Sequence, residues 1–477
     1  MPNILLIKSD TSENTQKQKH LPRRLSYPLG IMYLAAVARR RWPNPRIRII
    51  DSRCEKLDWK EIKDRFSPDF VGISAMTAEA GRMHGLAGEA RNAGIRALIV
   101  AGGPHASMYS KEILDDPNVD LSVIGEGEET FLEILQRLDR KLPLRGVRGT
   151  AYRENGESRL APPRPFIEDL DSLPFPAWDL VNIDTYSQSL RATPFGPARY
   201  MNMYTSRGCP FHGSYCHNID GKIFRARSPD NVLEEIRRLT KDYQIHELEP
   251  LDDCPHLDGN RLMEICDGIV REGLNVKIGL PNALRADTMT DEIIRALHRA
   301  GLYYSGFAIE TASPRLQNLI HTNINLEKVK AVVAIAARIG IFCHGFFMLG
   351  FPTETREEML TTVHYSHKLA LHTATFCIVL PFKGTEVYET ALSMGKKVAF
   401  SYDEYAVAEG LINVSELPDE ELYRIQRMAY RSFYLRPQQI IRLLWRHPNK
   451  RALIQHGLEF LYRNFIPDQR MKKAQGT

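Results

Sequence analysis

The stretch Arg207-Gly208-Cys209-Pro210-Phe211-His212-Gly213-Ser214-Tyr215-Cys216-His217-Asn218 carries two cysteines with a glycine between them. A cysteine at position 213 would complete the spacing Cys-x3-Cys-x2-Cys, with which one short loop holds three corners of an iron–sulfur cube. Thiolates are the ligands that such clusters require, because soft sulfur donors match the iron–sulfide core. Gly213 has no side chain, so we expect a cluster bound by this loop to be labile or absent.

Three other residues are candidates for the missing ligand. His212 and His217 flank the gap, but neighbouring residues in a tight loop point in different directions. Cys254, which follows Asp252-Asp253, is the better candidate because it is expected at the same end of the fold. The alternative interpretation of Cys254 is an inert, partly buried thiol.

The cysteine loop follows the first of six apolar segments, each separated from the next by a stretch of helical spacing. These segments are 200–205, 246–251, 275–280, 303–309, 342–349 and 374–380. Six βα repeats predict a partial TIM barrel, in which functional groups collect on the loops that follow the strands. The cysteine loop has that position.

The amino-terminal third shows the same alternation in the segments 4–7, 46–50, 70–74, 97–101 and 121–124. Segments that are apolar on both faces predict a parallel sheet covered by helices. Ligands of such sheets bind beyond the carboxyl ends of the strands. Small residues end three of these strands, namely Ser74, Gly102-Gly103 and Gly125, and leave space for a large planar ligand or one with a nucleotide tail.

The regions outside these two parts predict a linker and a helical extension. Residues 145–197 contain closely spaced prolines, which indicate an irregular interdomain linker. Residues 440–446 and 458–463 form apolar stripes edged with arginine, which can rest on an anionic membrane surface. A helical cover packed on the barrel is the alternative. We therefore expect an α/β protein with a Rossmann-like domain (1–142), a proline-rich linker (143–198), a (βα)6 partial barrel (199–400) and a carboxy-terminal helical segment (401–477).

Composition bounds the class of protein. The chain has 477 residues, 43% of them hydrophobic, which is enough for more than one core. The formal net charge of +5 is small for this length and gives no reason to expect nucleic-acid binding. The first strand is too short for a signal sequence and no apolar run reaches about 18 residues, so we expect a soluble, cytoplasmic protein. Seven cysteines, an odd number, fit a reducing compartment better than a disulfide framework.

The cysteine loop resembles that of the radical S-adenosylmethionine (SAM) enzymes, and the amino-terminal part resembles the cobalamin-binding domain fused to many of them. The domain order, the entry Tyr27-Pro28-Leu29-Gly30 into the first helix and the stretch at 433–437 are similar to the anaerobic magnesium-protoporphyrin cyclase-like and hopanoid-biosynthesis-like group. A flavodoxin-like domain with no ligand, or with another nucleotide, is the alternative for the amino-terminal part. The Asp-x-His-x-x-Gly motif of other cobalamin proteins is absent after Lys8, so we expect any bound cobalamin to lack a histidine ligand from it.

The resemblance implies cofactor-binding residues in both parts. Gly30, Ser74, Gly102 and Gly103 would line the cobalamin site. Cys209 and Cys216 would bind a [4Fe–4S] cluster whose open iron chelates SAM. Further contacts with SAM are implied for Tyr215 beside the adenine, Asp252 at the second strand, Glu310 and Thr311 at the fourth, and Gly350 at the fifth.

Each of these barrel residues also has a purely structural interpretation. Glu310 could cap a helix that begins near Ser313, and Gly350 could only end a strand. Asp252 and Asp253 could be solvated, helix-capping aspartates. Pro255, which follows Cys254, departs from the family pattern and is a second irregularity beside Gly213.

The resemblance implies an enzyme that uses SAM and cobalamin for methyl transfer, or for a ring or skeleton rearrangement, at an unactivated carbon of a small molecule or lipid. An electron donor such as flavodoxin or ferredoxin is the implied partner. The alternative is a degenerate family member that binds cobalamin or SAM without radical catalysis and serves as a binding or regulatory partner. A cobalamin-dependent methyl carrier without a cluster is a third hypothesis.

Overall fold

The computed structural model describes residues 2–11, 25–217, 219–398, 413–451, 453, 454 and 457. Two sheets, one of seven strands and one of six, organise this part of the chain, and a two-stranded ribbon lies between them in sequence. The second arginine-edged stripe, at 458–463, lies outside the described residues. Within those residues, every helix is too short or too polar to cross a bilayer.

The first sheet has the strand order β2-β1-β3-β4-β5-β6-β7, and its first five strands are parallel. This is the flavodoxin-like order of doubly wound sheets, so the predicted parallel sheet is confirmed. Its strands are β1 (Ile4–Lys8), β2 (Ile47–Asp51), β3 (Phe70–Ser74), β4 (Leu98–Gly102), β5 (Leu121–Val123), β6 (Thr150–Glu154) and β7 (Glu157–Leu160). The helices that cover it are α1 (Leu29–Arg41), α2 (Ala80–Asn92), α3 (Pro104–Met108) and α4 (Glu128–Asp139), with a short turn at Trp59–Glu61 that continues as a π-helix at Ile62–Phe66.

The hairpin β6–β7 is a correction to the sequence analysis, which placed these residues in an irregular linker. β6 pairs antiparallel with β5, and β7 pairs antiparallel with β6. Asn155 and Gly156 join them with φ of 54° and 85°. Two successive positive φ values are the requirement of a tight hairpin turn, for which Asn-Gly is the preferred pair. This dipeptide was the signal in the sequence that would have predicted the hairpin.

The second sheet has six parallel strands in the order β15-β14-β13-β12-β11-β8, as the βα rhythm predicted. Strands of this sheet that follow one another along the chain also lie side by side in the sheet, which is the order of a partial barrel. The strands are β8 (Met201–Met203), β11 (Glu247–Pro250), β12 (Lys277–Leu284), β13 (Leu302–Glu310), β14 (Phe342–Leu349) and β15 (Thr373–Ile378). The ribbon of β9 (Ser206–Arg207) and β10 (Arg225–Ala226) follows β8 and frames the cysteine loop.

Polar side chains cap several of the helices around the second sheet. Ser228 caps the helix that begins at Pro229 with its side-chain oxygen, and Thr355 and Glu358 form a capping box at the helix that begins at Arg356. The helices are α5 (Ile183–Ser187) in the linker, then α6 (Pro229–Tyr243), α7 (Gly259–Arg271), α8 (Asp291–Arg299), α9 (Pro314–Leu319), α10 (Leu326–Ile339), α11 (Arg356–Lys368), α12 (Glu386–Ser393), α13 (Asp419–Tyr434) and α14 (Pro437–Arg446).

The carboxy-terminal helix α13 packs against the last barrel strand. The Tyr434 hydroxyl donates to the carbonyl of Ala374 at 2.9 Å, and Gln426 Nε2 donates to the carbonyl of Phe376 at 2.8 Å. Leu422 and Phe433 are fully buried. For α13, the helical cover on the barrel is therefore the interpretation that the structure supports.

The two sheets are joined by buried polar contacts. The Asn202 side-chain oxygen, on β8, accepts a hydrogen bond from the Tyr27 amide at the start of α1, at 2.9 Å. The Tyr186 hydroxyl, on α5 of the linker, donates to Asp51 at the end of β2, at 2.6 Å. One hydrophobic cluster runs from residues of β1 and α1 into the barrel. The linker and the first barrel strand, β8, are thus hydrogen-bonded to the domain that contains the first sheet.

Candidate functional site

The cysteine loop leaves the ribbon through a glycine that no other residue could replace. Gly208 has a φ of +84°, and a Cβ atom at this position would lie 2.3 Å from the carbonyl oxygen of Ile223. A Cβ atom cannot approach a backbone oxygen so closely, and positive φ is costly for other residues. Gly208 therefore lets the chain turn sharply and present Cys209 directly after β9.

Asp252 anchors the start of the same loop. It is 2% exposed, and its carboxylate accepts hydrogen bonds from the amides of Thr205 and Ser206 at 2.7 and 2.8 Å and from the Thr205 hydroxyl at 2.6 Å. This arrangement differs from the solvated, helix-capping aspartate considered above, because α7 is capped by Asp258 instead. Asp252 joins the end of β11 to the end of β8, and a contact of Asp252 with a cofactor stays a prediction.

The loop after β11 brings a third cysteine to the cysteine loop. The Sγ atom of Cys254 lies 3.5 Å from the Sγ atom of Cys209, and Cys254 is 4% exposed. A Cβ atom placed on Gly213 would lie 3.1 Å from the Sγ atom of Cys216. Position 213 is therefore directed toward the Cys216 sulfur, although it carries no thiol, and the role of this spacing in cluster binding stays a prediction.

The two histidines of the loop, His212 and His217, are both exposed, and His217 Nδ1 accepts a hydrogen bond from the Ile219 amide at 3.5 Å. Cys254 donates a hydrogen bond to Cys209, and this contact lowers the pKa of the Cys209 thiol to about 7. Of the three candidates for a replacement ligand, the structure brings only Cys254 against a cysteine of the loop.

Glu310 ends β13 in an unusual backbone conformation. Its φ is +62°, and the pairing of β13 with β14 shifts between Ala308 and Glu310. Such a bulge redirects a side chain at the end of a strand. The helix α9 is capped by Ser313, whose hydroxyl accepts a hydrogen bond from the Leu316 amide. Glu310 is thus not the helix cap that the sequence left open.

The Glu310 carboxyl lies beside Tyr215 of the cysteine loop. Burial raises the pKa of Glu310 to about 7, and a hydrogen bond with Tyr215 opposes part of that shift. The Tyr215 ring packs edge-on against Phe351, with 5.8 Å between the ring centroids. The structure therefore brings together residues from the first, fourth and fifth barrel loops, as the strand order predicted.

Thr311 and Gly350 have structural partners of their own. The Thr311 hydroxyl is buried and lies 3.1 Å from the Thr362 hydroxyl. Gly350 has a φ of +85°, and a Cβ atom there would lie 3.2 Å from Leu422 of α13. Its amide donates to Glu354 at 2.6 Å. Glycine at 350 is thus required by the turn and by helix packing, and its approach to a nucleobase stays a prediction.

The carboxyl edge of the first sheet has the open space that the small residues predicted. A Cβ atom on Gly102 would meet no atom within 4 Å, whereas one on Gly103, which has a φ of +86°, would lie 2.7 Å from the Ser74 hydroxyl oxygen. Ser74 and Gly103 are therefore in contact, and Gly102 borders free space. Gly30 also borders free space, in the first turn of α1.

Four buried charges connect this edge to the cysteine loop. Arg207 on β9 donates to Glu126 at 2.9 Å and to Glu128 at 2.8 Å, and Arg225 on β10 donates to Glu126 at 2.8 Å. The four side chains are between 6% and 11% exposed. Glu126 lies in the turn after β5 and Glu128 begins α4, so the loop that carries the cysteines faces the carboxyl edge of the first sheet.

These charges were missed in the sequence analysis, which treated the turn at 124–128 only as a source of small residues. The two glutamates alternate with glycines in Ile124-Gly125-Glu126-Gly127-Glu128, and the arginines lie about 80 and 100 residues later. No pattern in the sequence indicated this pairing. Asn282 was also missed; its side chain donates to the Leu251 carbonyl at 2.8 Å from a bulge in β12. Proline before it, at 281, marked an interruption of the strand.

Comparison with known proteins assigns both parts of the chain. Residues 23–135 match the B12 binding domain, and residues 203–365 match the Radical SAM superfamily. The fold and the cysteine loop thus define a protein with a corrinoid-type domain followed by a radical SAM domain. The chain belongs to the cobalamin-dependent radical SAM methyltransferase-like family, and the resemblance inferred from the sequence is confirmed.

Three relatives span most of the chain. It is 34% identical to an uncharacterized methyltransferase of Pyrococcus horikoshii, over 88% of this chain and 90% of the relative. It is 29% identical to the cytidylyl-2-hydroxyethylphosphonate methyltransferase of Streptomyces wedmorensis, over 87% of each chain. The anaerobic magnesium-protoporphyrin IX monomethyl ester cyclase of Cereibacter sphaeroides is 23% identical over 81% of this chain and 64% of its own length.

The fold is shared with a solved structure. The radical SAM methyltransferase TsrM from Kitasatospora setae, determined with cobalamin and a [4Fe–4S] cluster bound, superposes with a TM-score of 0.66 at 16% identity. The match covers 81% of this chain and 77% of TsrM. The arrangement of a Rossmann-like domain followed by a radical SAM domain is therefore the shared feature.

Proposed function

We propose that this protein transfers a methyl group, or rearranges a ring or skeleton, at an unactivated carbon of a small molecule or lipid, with SAM and cobalamin as cofactors. The observation that carries the proposal is the buried ion cluster of Arg207, Arg225, Glu126 and Glu128. It holds the cysteine loop against the sheet edge at which a corrinoid would bind. Methyltransferases among the relatives support the same conclusion.

The residues proposed to hold cobalamin lie at the carboxyl edge of the first sheet. Gly102 and Gly30 border free space, and Ser74 lies beside Gly103. The edge fits a large ligand, because a side chain at position 102 would project into the free volume that such a ligand needs. We assign this role to the domain at 1–142 together with the hairpin that completes its sheet, and the radical SAM role to 199–400.

The residues proposed to hold SAM and the cluster lie on the barrel loops. Cys209 and Cys216 would bind iron, and Tyr215, Glu310 and Gly350 would surround the nucleoside. When bound, these cofactors supply the reactive radical and the methyl carrier, and the protein contributes orientation and exclusion of water. Asp252 and Thr311 hold the loops in place through the hydrogen bonds described above. Glu310, whose pKa burial raises to about 7, can hold or release a proton near neutral pH.

The experiment measures two products of SAM that need no knowledge of the substrate. The chain is reconstituted without oxygen with iron, sulfide and hydroxocobalamin, and is then given SAM and a reductant. We expect 5′-deoxyadenosine from the cluster, and S-adenosylhomocysteine in an amount that depends on added cobalamin. A reconstituted protein that forms neither product would refute the proposal. Gly102→Leu should remove the cobalamin-dependent product and leave the far-UV circular dichroism unchanged. Gly85→Leu, at an exposed position on α2 where the nearest atom to a Cβ would be 3.5 Å away, is the control.

The second candidate function is a family member that binds cobalamin or SAM without radical catalysis. The observation that favours it is Gly213, where the loop lacks a thiol. For this function we expect stoichiometric uptake of cobalamin in a titration and no 5′-deoxyadenosine under any reducing condition. Formation of 5′-deoxyadenosine would exclude it.

The partners proposed are a flavodoxin or ferredoxin as electron donor and, for α14, an anionic membrane surface. Ile441, Leu444 and Trp445 on α14 are 64%, 59% and 82% exposed. Residues 435–451 contain basic side chains and no acidic one, which suits anionic lipids. All seven cysteines are free thiols, which fits the reducing cytoplasm.

A vesicle experiment tests the membrane contact. Wild-type protein should float with vesicles that contain phosphatidylserine and not with phosphatidylcholine vesicles. Trp445→Ser should weaken this flotation severalfold, whereas Leu392→Ser, at an exposed apolar position on α12, should not. Equal flotation of wild type and Trp445→Ser would contradict the proposal.

A further inference from the structure

Three cysteines belong to the cysteine loop or to the turn beside it, although the loop itself supplies two. Cys209 and Cys216 come from the loop, and Cys254 comes from the turn after β11. The Sγ atoms of Cys209 and Cys254 lie 3.5 Å apart. This distance is far longer than a disulfide bond of about 2 Å, so the two thiols are neighbours without being bonded.

Hydrogen bonds to the backbone on both sides fix the position of the segment that carries Cys254. Asp252, two residues earlier, binds the amides of Thr205 and Ser206, and these residues lead directly into the cysteine loop. Asn282 on β12 holds the carbonyl of Leu251 from the other side. The segment that carries Cys254 and the segment that carries Cys209 are therefore fixed against each other.

Position 213 is directed toward the Cys216 sulfur. A Cβ atom on Gly213 would approach that sulfur to 3.1 Å, so a thiol at this position would lie beside it. The chain has instead a glycine at 213 and a cysteine at 254. One thiol is missing from the loop and one is present in the adjoining turn, so the total number of thiols available for a cluster is still three.

We propose that Cys254 supplies the third thiolate of the iron–sulfur cluster, together with Cys209 and Cys216. The inference rests on the proposed function, because it assigns the ligands of that cluster. It departs from the ligand set of the loop motif, which places all three cysteines within one hairpin. The fourth iron is left without a thiolate, as SAM binding requires.

The ligand geometry is compatible with a cluster and not with a single ion. No three His, Cys, Asp or Glu side chains in the described ranges converge on a point that one metal ion could occupy. A cubane does not require such convergence, because each thiolate binds a different iron. Ligands on different irons lie farther apart than 3.5 Å, so Cys209 and Cys254 would have to separate when a cluster binds.

The surroundings of the three sulfur atoms carry charges of both signs. Lys222 donates to the Phe211 carbonyl at 2.8 Å, inside the loop. The Arg285 guanidinium lies 4.2 Å from the centroid of the Phe211 ring. These two cations would offset part of the negative charge of a bound cluster, whereas the Asp253 carboxyl beside Cys254 opposes them.

The test counts iron and sulfide in variants that move the third thiol. After anaerobic reconstitution, wild type should hold about four irons and four sulfides per chain, with a cluster absorption band and a reducible electron paramagnetic resonance signal. Cys254→Ser should lose at least about half of the iron and the reducible signal. Cys266→Ser is the matched control, since Cys266 is equally buried on the next helix, α7, and it should leave the iron count unchanged.

A rescue variant separates loss of a ligand from loss of the fold. Adding Gly213→Cys to Cys254→Ser should restore the iron content and the signal, because the thiolate returns to the loop. A full cluster in Cys254→Ser would overturn the inference. So would a wild-type protein that takes up no cluster, or that contains a Cys209–Cys254 disulfide after anaerobic purification. The iron count is independent of SAM consumption, so a protein that assembles the cluster through Cys254 but forms neither 5′-deoxyadenosine nor S-adenosylhomocysteine would refute the proposed function alone.

Discussion

At the scale of single residues, the site depends on a few ionisable side chains whose burial disfavours the charged form. Glu354 is 1% exposed, and one of its carboxylate oxygens accepts the amides of Gly350 and Phe351 at 2.6 and 3.0 Å. The other oxygen has no hydrogen-bond partner in the described residues. Burial raises the pKa of Glu354 to about 8. The turn beside the proposed nucleoside site thus depends on a carboxyl that is uncharged below that pH.

The stability of the protein should therefore depend on pH through Glu354. Because the folded state holds this proton up to about pH 8 and the unfolded chain releases it near 4.5, the contribution of Glu354 to stability falls as pH rises through this window. Glu354→Gln keeps the two accepted hydrogen bonds and removes the charge. Urea unfolding measures how much the free energy of unfolding of Glu354→Gln exceeds that of wild type. This difference should be larger at pH 9 than at pH 6 by a few kcal/mol, since one pKa unit is about 1.4 kcal/mol.

The control for this prediction is Glu357→Gln, an exposed position on α11. It should change the free energy of unfolding by the same small amount at both pH values. A difference between Glu354→Gln and wild type that does not vary between pH 6 and pH 9 would contradict the prediction.

At the scale of elements, the ribbon β9–β10 is the structure that holds the cysteine loop against the first sheet. Arg207 makes two buried ion pairs, with Glu126 and Glu128, and its guanidinium lies 5.3 Å from the centroid of the Tyr33 ring on α1. Buried charges are tolerated only when they are paired, because removal of one partner leaves the other charge without compensation. The ribbon should therefore be sensitive to loss of a single arginine.

Replacement of Arg207 by methionine should lower the free energy of unfolding by about 3–5 kcal/mol, because Glu128 loses its partner in a buried position. Arg237→Met is the matched control. Arg237 also makes two ion pairs, with Glu234 and Glu272, but it is 40% exposed, and exposed pairs contribute about 0–1 kcal/mol. Urea unfolding of both variants measures the difference, and equal losses would show that burial of the Arg207 pairs has no special effect.

At the scale of the whole molecule, the linker is part of the interface between the two sheets. Tyr186 on α5 is 1% exposed, donates to Asp51 and stacks on Tyr27, with 4.1 Å between the ring centroids. Asp51 also pairs with Arg53 at 2.6 Å. The carboxyl edge of the first sheet, the linker and the barrel therefore share one buried polar network, and we expect them to unfold together.

Two tyrosines in this interface give a matched pair of variants. Tyr186→Phe removes a hydroxyl that donates to a buried carboxylate, and it should lower the free energy of unfolding by about 1–3 kcal/mol. Tyr27→Phe removes a buried hydroxyl that has no hydrogen-bond partner in the described structure, so it should be neutral or slightly stabilising. Urea unfolding measures both. If Tyr27→Phe costs as much as Tyr186→Phe, the loss in Tyr186→Phe does not arise from its hydrogen bond to Asp51.

The order of elements could be predicted from the sequence because it depends on local patterns. Short apolar segments and helical spacing gave eleven strands close to their observed bounds, including β4 at Leu98–Gly102 and β14 at Phe342–Leu349. The hairpin β6–β7 was missed because nearby prolines dominated the interpretation of residues 143–198, although Asn155-Gly156 indicated a turn. The chemistry of the cysteine loop, including its missing thiol at Gly213, was visible directly.

The sequence by itself determined that two βα modules follow each other and that the loop after the first barrel strand holds two cysteines, because periodicity and spacing are local properties of a chain. Only the tertiary structure decided which distant residues meet. Cys254 reaches Cys209 across 45 positions, and Arg207 reaches Glu128 across 79. Such contacts are created when parallel strands align their carboxyl ends and bury the loops between them, and no pattern within either segment encodes its partner.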